Sequence, residues 1–258
     1  MDLGLTGKTV IVTGGASGIG QAIAAGFGGQ GARVVVGDIK GAGDAAQALA
    51  AQGVDAIGVP LDVADDASIA AAVAGVIASH GAIDVLVNAA GLFRCPSLFD
   101  TTREDWAAID AVNVSGLFMM LQAAARHMAE RGSGAIVNIA SVGGRRGDEN
   151  APVYCASKAS VISITQSAAL ALVKKGVRVN AIAPGQIETP LWSALSRDMG
   201  ARFGIDAAQF TAMVEGIIPA GRLGQPGDLV GTALFLASPM AGFLVGQTIN
   251  VDGGVYLS

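Results

Sequence analysis

Short apolar runs alternate with helix-like stretches along the whole chain, and that alternation leaves few folds open. Seven runs read as strands: Lys8–Val12, Arg33–Asp38, Asp55–Pro60, Ile83–Asn88, Gly134–Ile139, Val177–Ile182 and Thr248–Val251. Ala42 to Gln52, Asp66 to Ser79, and a long stretch from near Pro152 to just before Gly176 read as helices. Thr101 or Thr102 can cap another long helix reaching about Arg131, because Glu104 and Asp105 follow in its first turn. Gln186 to about Leu223 reads as irregular or weakly helical, and Asp228 to Ala237 as a helix. The early strands are continuously apolar, as parallel strands covered on both faces must be. The pattern predicts an α/β fold, a doubly wound sheet of seven parallel strands in a single domain over residues 1–258. In such a sheet ligands gather at the carboxyl ends of the strands.

The first strand runs into Thr13-Gly14-Gly15-Ala16-Ser17-Gly18-Ile19-Gly20, and a helix-like segment follows at once. Glycines let the backbone turn sharply and approach a pyrophosphate with no Cβ in the way. The helix then aims its free N–H groups at the phosphates. Strand, glycine turn and helix form a dinucleotide-binding context, although a tight turn with no ligand uses the same glycines. The spacing is Gly-x-x-x-Gly-x-Gly, so Gly14, Ser17, Gly18, Ile19 and Gly20 are the candidate phosphate contacts. Asp38 ends the second strand, where a carboxylate can accept hydrogen bonds from the adenosine ribose and repel the 2′-phosphate of NADP. That points to NAD, with Lys40 nearby as the one opposing charge. Asp62 can accept a hydrogen bond from the adenine amino group, with Val63 donating its backbone N–H to the adenine ring; a turn aspartate is the plainer role. Asn88, Ala89 and Gly91 form a small-residue exit from the fourth strand that can pass close to the cofactor.

Tyr154-Cys155-Ala156-Ser157-Lys158 carries the reactive chemistry. Tyr154 and Lys158, four apart, share one helix face. A free tyrosine has a pKa of about 10, too high for a base at neutral pH. A neighbouring ammonium favours the phenolate and lowers that value. Tyr154 can then take a hydroxyl proton as hydride leaves the carbinol carbon. Ser141, ending the fifth strand, can hold the same substrate oxygen, and Lys158 can also hold the nicotinamide ribose. An exposed Tyr–Lys pair is the ordinary reading of this spacing in isolation. It weakens beside the glycine turn, Asp38 and Ser141 at their strand ends.

Charge and composition exclude other partners. The net charge is −5, which disfavours nucleic acid and anionic membranes. No apolar run reaches the roughly 18 residues of a membrane span. Residues Met1 to Lys8 lack the basic start and apolar core of a signal peptide, so a cytoplasmic location is expected. Cys95, Cys155, His80 and His127 form no zinc-spaced cluster, and no metal is expected. The cysteines read as packing residues, and the histidines as helix caps or solvated side chains.

Taken together, Thr13-Gly14-x-x-x-Gly18-x-Gly20, Asn88-Ala89-Ala90-Gly91, Asn113, Ser141, Tyr154-x-x-x-Lys158, Pro184-Gly185 and Thr189 resemble the short-chain dehydrogenase/reductase family over essentially the whole chain. The resemblance implies a Rossmann-like fold and adds roles. Asn113 would kink its helix and hold a water that links Lys158 to solvent. Pro184, Gly185, the Ile187 backbone and Thr189 would contact the nicotinamide end. The family's usual homotetramer would pair the two long helices with their symmetry mates. Leu92-Phe93, Gly144-Arg145-Arg146-Gly147 and Asn250-Val251-Asp252-Gly253-Gly254 further resemble bacterial NAD-dependent sorbitol dehydrogenases within that family. This implies a polyol substrate, with Asp148, Glu149 and Asn150 available to its hydroxyls beside Ser141 and Tyr154, and with 186–223 as the substrate loop. An exposed acidic loop is the equal alternative for Asp148–Asn150. A reductase of 3-oxoacyl thioesters or small ketones on the same machinery is the first alternative function. A binding protein that senses NAD without turnover is the second.

Overall fold

Among the described residues, seven strands make one sheet: β1 (Thr9–Thr13), β2 (Arg33–Asp38), β3 (Ala56–Pro60), β4 (Val85–Asn88), β5 (Gly134–Ile139), β6 (Val177–Pro184) and β7 (Thr248–Val251). All neighbours pair in parallel. The spatial order is β3-β2-β1-β4-β5-β6-β7. The chain thus winds outward from β1 to β3, returns to lay β4 beside β1, and winds outward the other way. The gap between the carboxyl ends of β1 and β4 is the switch point where such sheets bind ligands. The computed structural model describes residues 2–257; Met1 and Ser258, the ends of the span read as one domain, lie outside the described residues.

Alternate residues of each strand enter opposite cores. Val10, Val12, Val34 and Val36 pack against α1 (Gly18–Gly29), α2 (Ala42–Ala50) and the C-terminal α9 (Val230–Ala237). Ile11, Val35, Leu86 and Ile136 pack against α3 (Asp66–His80) and the long helices on the other face. Period-two patterning is therefore invisible in β1, whose five residues are all buried.

The first long helix is not one regular helix. Thr102 is its N-cap, in a reciprocal box with Asp105. α4 (Arg103–Asp110) passes into a π-helical segment, Ala111–Gly116, and then into α5 (Leu117–Arg131). Asn113 lies inside that widened turn. Such insertions cluster at functional sites. α6 (Pro152–Leu172) is the second long helix, closed by a 3-10 turn and by Gly176 at φ 75°. Contrary to the expectation that no apolar stretch reaches membrane-span length, Arg103–Arg131 and Pro152–Lys175 are each long and apolar enough to cross a membrane by length and composition. Here each buries one face inside the fold: Leu117, Met120, Leu121, Ala124 and Met128 on α5, and Val153, Val161, Thr165 and Ala169 on α6.

The stretch after β6 corrects the sequence reading. It folds as a helical pair, α7 (Pro190–Phe203) and α8 (Ala207–Ile217). Thr189 caps α7 through the Trp192 N–H, with Pro190 in its first turn. Asp206 and Gln209 form a capping box on α8. Trp192, Met199, Phe210 and Val214 bury one another in a small core of their own. A 3-10 turn, Pro226–Leu229, then leads into α9, which begins two residues later than expected. His127, expected as a cap or on a solvated face, instead has a buried Nε2 with no hydrogen-bond partner among the described residues. Both cysteines are free, Cys155 buried and Cys95 half-buried.

Candidate active site

The glycine turn is closed too tightly for side chains. A Cβ on Gly20 would lie 2.2 Å from the Gly14 carbonyl oxygen, and one on Gly14 would lie 2.8 Å from the Ala90 backbone. Gly14 and Gly18 hold φ of 64° and 52°, which glycine adopts at no cost. Thr13 fastens this turn to the β4 exit, its Oγ1 accepting from the Ala89 and Ala90 N–H groups at 3.1 Å each. Ser17 is the N-cap of α1 yet makes no side-chain cap bond. At the end of β2, Asp38 accepts from the Ala16 N–H at 3.0 Å and the Lys40 N–H at 3.2 Å. The carboxylate is thereby held beside the glycine turn. Asp62 accepts from the Ala64 N–H at 2.9 Å.

Gly14, Ser17, Gly18, Gly20, Asp38 and Asp62 line one cleft of about 620 Å³ along the carboxyl edge of the sheet. Ser141, Tyr154 and Lys158 line it further along. Lys158 is buried, and its Nζ donates to the Ile139 carbonyl at 2.9 Å while lying 5.7 Å from the centre of the Tyr154 ring. Phe93 meets that ring edge-on, with centroids 4.6 Å apart. Burial lowers the Lys158 amine from 10.5 to about 8. Burial pushes the Tyr154 phenol up to about 12, against a hydrogen bond with Ser141 that pulls it down. The sequence reading expected the phenol to be lowered by Lys158. Instead desolvation dominates, and the group that opposes it is the Ser141 hydroxyl rather than Lys158.

The family described as enoyl-(acyl carrier protein) reductase matches residues 14–256. The chain is 44% identical over 256 residues to a sorbitol dehydrogenase of Cereibacter sphaeroides, covering 98% of this chain and 99% of the relative. It is 41% identical over 255 residues to a galactitol 2-dehydrogenase of Agrobacterium fabrum, with 98% and 99% covered. This chain belongs to the short-chain dehydrogenase/reductase family. Its backbone is similar to that of a putative NAD(P)-dependent gluconate 5-dehydrogenase from Beutenbergia cavernae with bound NADP, at TM-score 0.91 and 35% identity, covering 99% of both chains. The protein is therefore an oxidoreductase acting on CH–OH groups and using a nicotinamide cofactor. The cleft fits that cofactor: a glycine turn where Cβ atoms would collide, a helix N-terminus with no side-chain cap bond, and a carboxylate held beyond them.

The dehydrogenase brings most of the expected residues to the wall of this cleft. Gly14, Ser17, Gly18, Ile19, Gly20, Asp38, Asp62, Val63, Ala89 and Gly91 line it, as do Pro184, Gly185, Ile187 and Thr189. Four expected residues are not on the wall. Asn88 is buried beneath it, donating to Asn138 Oδ1 at 2.9 Å, with Asn138 donating on to Thr165. Asn113 is fully buried, exchanging bonds of 2.7 and 2.8 Å with the Leu92 backbone and donating to Ser157 at 3.1 Å. Its side chain thus fixes the β4 exit and α6 from behind. Glu149 and Asn150 also lie off the wall, and only Asp148 of that trio lines the cleft. The reason is local: Asp148 Oδ1 accepts the Asn150 N–H at 2.9 Å, curling the loop so that Glu149 faces out, exposed. Gln186 and Leu195 line the cleft; both fall in the segment expected as the substrate loop, though neither is singled out by the sequence. Gln186 directly follows Pro184-Gly185, and that adjacency was its available signal. Leu195 needed the helix α7 to be seen.

Proposed function

We propose that this protein is an NAD-dependent dehydrogenase that oxidises one secondary alcohol of a sugar alcohol to the ketone, reversibly. The carrying observation is a single cleft with Ser141, Tyr154 and Lys158 at one part of its wall and Asp38 at another. The named activities of the sorbitol and galactitol relatives support the polyol class. Bound oxidised nicotinamide supplies the hydride acceptor and a positive ring charge. The chain's own groups handle the proton and the orientation. Tyr154 takes the hydroxyl proton, Ser141 steadies the substrate oxygen, and the Lys158 ammonium favours the phenolate. Asn113 holds the backbone around Lys158. Asp38, already accepting two backbone N–H groups, leaves a 2′-phosphate facing a carboxylate, and this supports NAD over NADP. It also counts against an NADPH-dependent acyl reductase. Asp148 is the one acidic residue of its loop on the cleft wall, and Leu191, Trp192 and Leu195 of α7 line the same cleft. Exposed Trp106, Phe118 and Leu170 on the two long helices support assembly as a homotetramer through those faces.

The test is the initial rate of NADH formation with D-sorbitol, galactitol, D-mannitol and xylitol, each repeated with NADP. Turnover of at least one hexitol, faster with NAD, is expected. No turnover of any polyol, with NAD binding shown separately, overturns the substrate class.

A further inference from the structure

The turn that carries Ser141 is anchored from outside the cleft. Ser141 leads from β5 into a single 3-10 turn, Val142–Gly144, its Oγ accepting the Gly143 N–H at 3.1 Å. Arg145 closes that turn, its N–H donating to the Val142 carbonyl at 3.0 Å. Gly143, Gly144 and Gly147 make this segment intrinsically loose. On one side the turn is pressed against α6, since a Cβ on Gly144 would lie 2.6 Å from the Lys158 carbonyl. On the other side Arg145 reaches β7. Its Nε donates to Asn250 Oδ1 at 2.7 Å and its Nη2 to the Thr248 carbonyl at 2.6 Å. Asn250 Nδ2 in turn donates to the Tyr256 carbonyl at 2.9 Å. Arg145 does not line the cleft, whereas its neighbour Arg146 does.

We propose that Arg145 is a positioning residue for the reaction: by tying the Ser141 turn to β7, it keeps the Ser141 hydroxyl in hydrogen-bonding reach of Tyr154. The role rests on the reading of Ser141 and Tyr154 as the pair that works on the substrate oxygen. Three glycines in the segment cannot hold a hydroxyl in place by themselves, and a bidentate guanidinium clamp fixes both distance and plane. Loosening the clamp removes the Ser141 bond that opposes the burial of the Tyr154 phenol.

The experiment compares Arg145→Met and Arg145→Lys with the wild type, using the alcohol found to turn over. For Arg145→Met, kcat falls by about tenfold while the NAD Kd stays within about twofold. The inflection of its kcat/KM profile moves up by about half a pH unit or more, because the phenol has lost a partner. Arg145→Lys recovers part of the loss, since an ammonium can still donate to either acceptor. Unchanged kcat overturns the proposal. So does a fall in kcat and thermal stability with an unmoved inflection, which is the signature of a merely structural arginine. If Arg145→Met does not fold, Asn250→Ala removes one acceptor and carries the same readout, with the inflection moving up or the proposal overturned. Substantial turnover by Tyr154→Phe removes the underlying pair instead. Loss of turnover there, with Arg145→Met behaving as wild type, overturns only the positioning role.

Discussion

At the scale of single residues, electrostatics divides the cleft into two tasks. Asp38 is a fixed carboxylate beside the glycine turn, with both oxygens engaged by backbone N–H groups. Asp38→Ser removes the repulsion of a 2′-phosphate and leaves a small hydroxyl. The expected outcome is a fall in the NAD/NADP ratio of kcat/KM by about tenfold or more. An unchanged ratio would show that selection lies elsewhere. At the substrate end, Asp148 and Glu149 separate two readings that the sequence left equal. Asp148→Asn should raise KM for hexitols, whereas Glu149→Ala should leave it within about twofold, because only Asp148 lines the cleft. Steady-state kinetics on one hexitol checks both, and equal effects would mean that the loop closes further over substrate than this structure shows.

At the scale of elements, the site depends on how closely backbones approach. Gly20→Ala would place a Cβ 2.2 Å from the Gly14 carbonyl oxygen, against backbone that has nowhere to move. Overpacking of this kind costs about 1–3 kcal/mol or more, and the turn must open to relieve it. NAD affinity is expected to drop with stability, as read by calorimetry and thermal unfolding together. Retained affinity would mean that the turn is not the phosphate cradle. The strands, α6 and the glycine turn were legible in the sequence because continuous apolar runs and a glycine signature mark them directly. The α7–α8 pair was only weakly so, because its buried residues Trp192, Met199, Phe210 and Val214 are few and pack in a small core completed by Leu223 and by Cys95 and Val255 from distant parts of the chain. The π-helical turn at Asn113 was legible only through family resemblance. Nothing in Ala111-Val112-Asn113-Val114 breaks a helix, and the widening follows from the bonds Asn113 makes to Leu92 and Ser157. Asn88 and Asn113 show the general difficulty: sequence order brings a polar residue to a strand end or helix face, but not to one side or the other of the cleft wall.

At the scale of the whole molecule, a buried amine at the cleft floor ties stability to pH. Lys158 has its pKa lowered to about 8 in the fold, from 10.5. Below about pH 8 the amine is charged in both states, and the fold bears the cost of burying it, on the order of 3 kcal/mol. Between about 8 and 10.5 the folded chain sheds the proton while the unfolded chain keeps it, so stability rises with pH through that window. Lys158→Met abolishes this dependence. Its thermal stability should exceed the wild type's near pH 7, and the difference should shrink toward pH 10. A difference that is constant with pH would contradict the burial of a charged amine. Four chains per particle by light scattering is the expected assembly, and a monomer would contradict pairing through the long helices. The central claim is that Tyr154 moves the proton, and single-turnover NADH formation by Tyr154→Phe, with NAD binding measured on the same sample, tests it most directly. NAD binding within about twofold of wild type, with hydride transfer slowed by about 10²–10⁴-fold, is the predicted result. NADH formation at a rate near that of the wild type would contradict it.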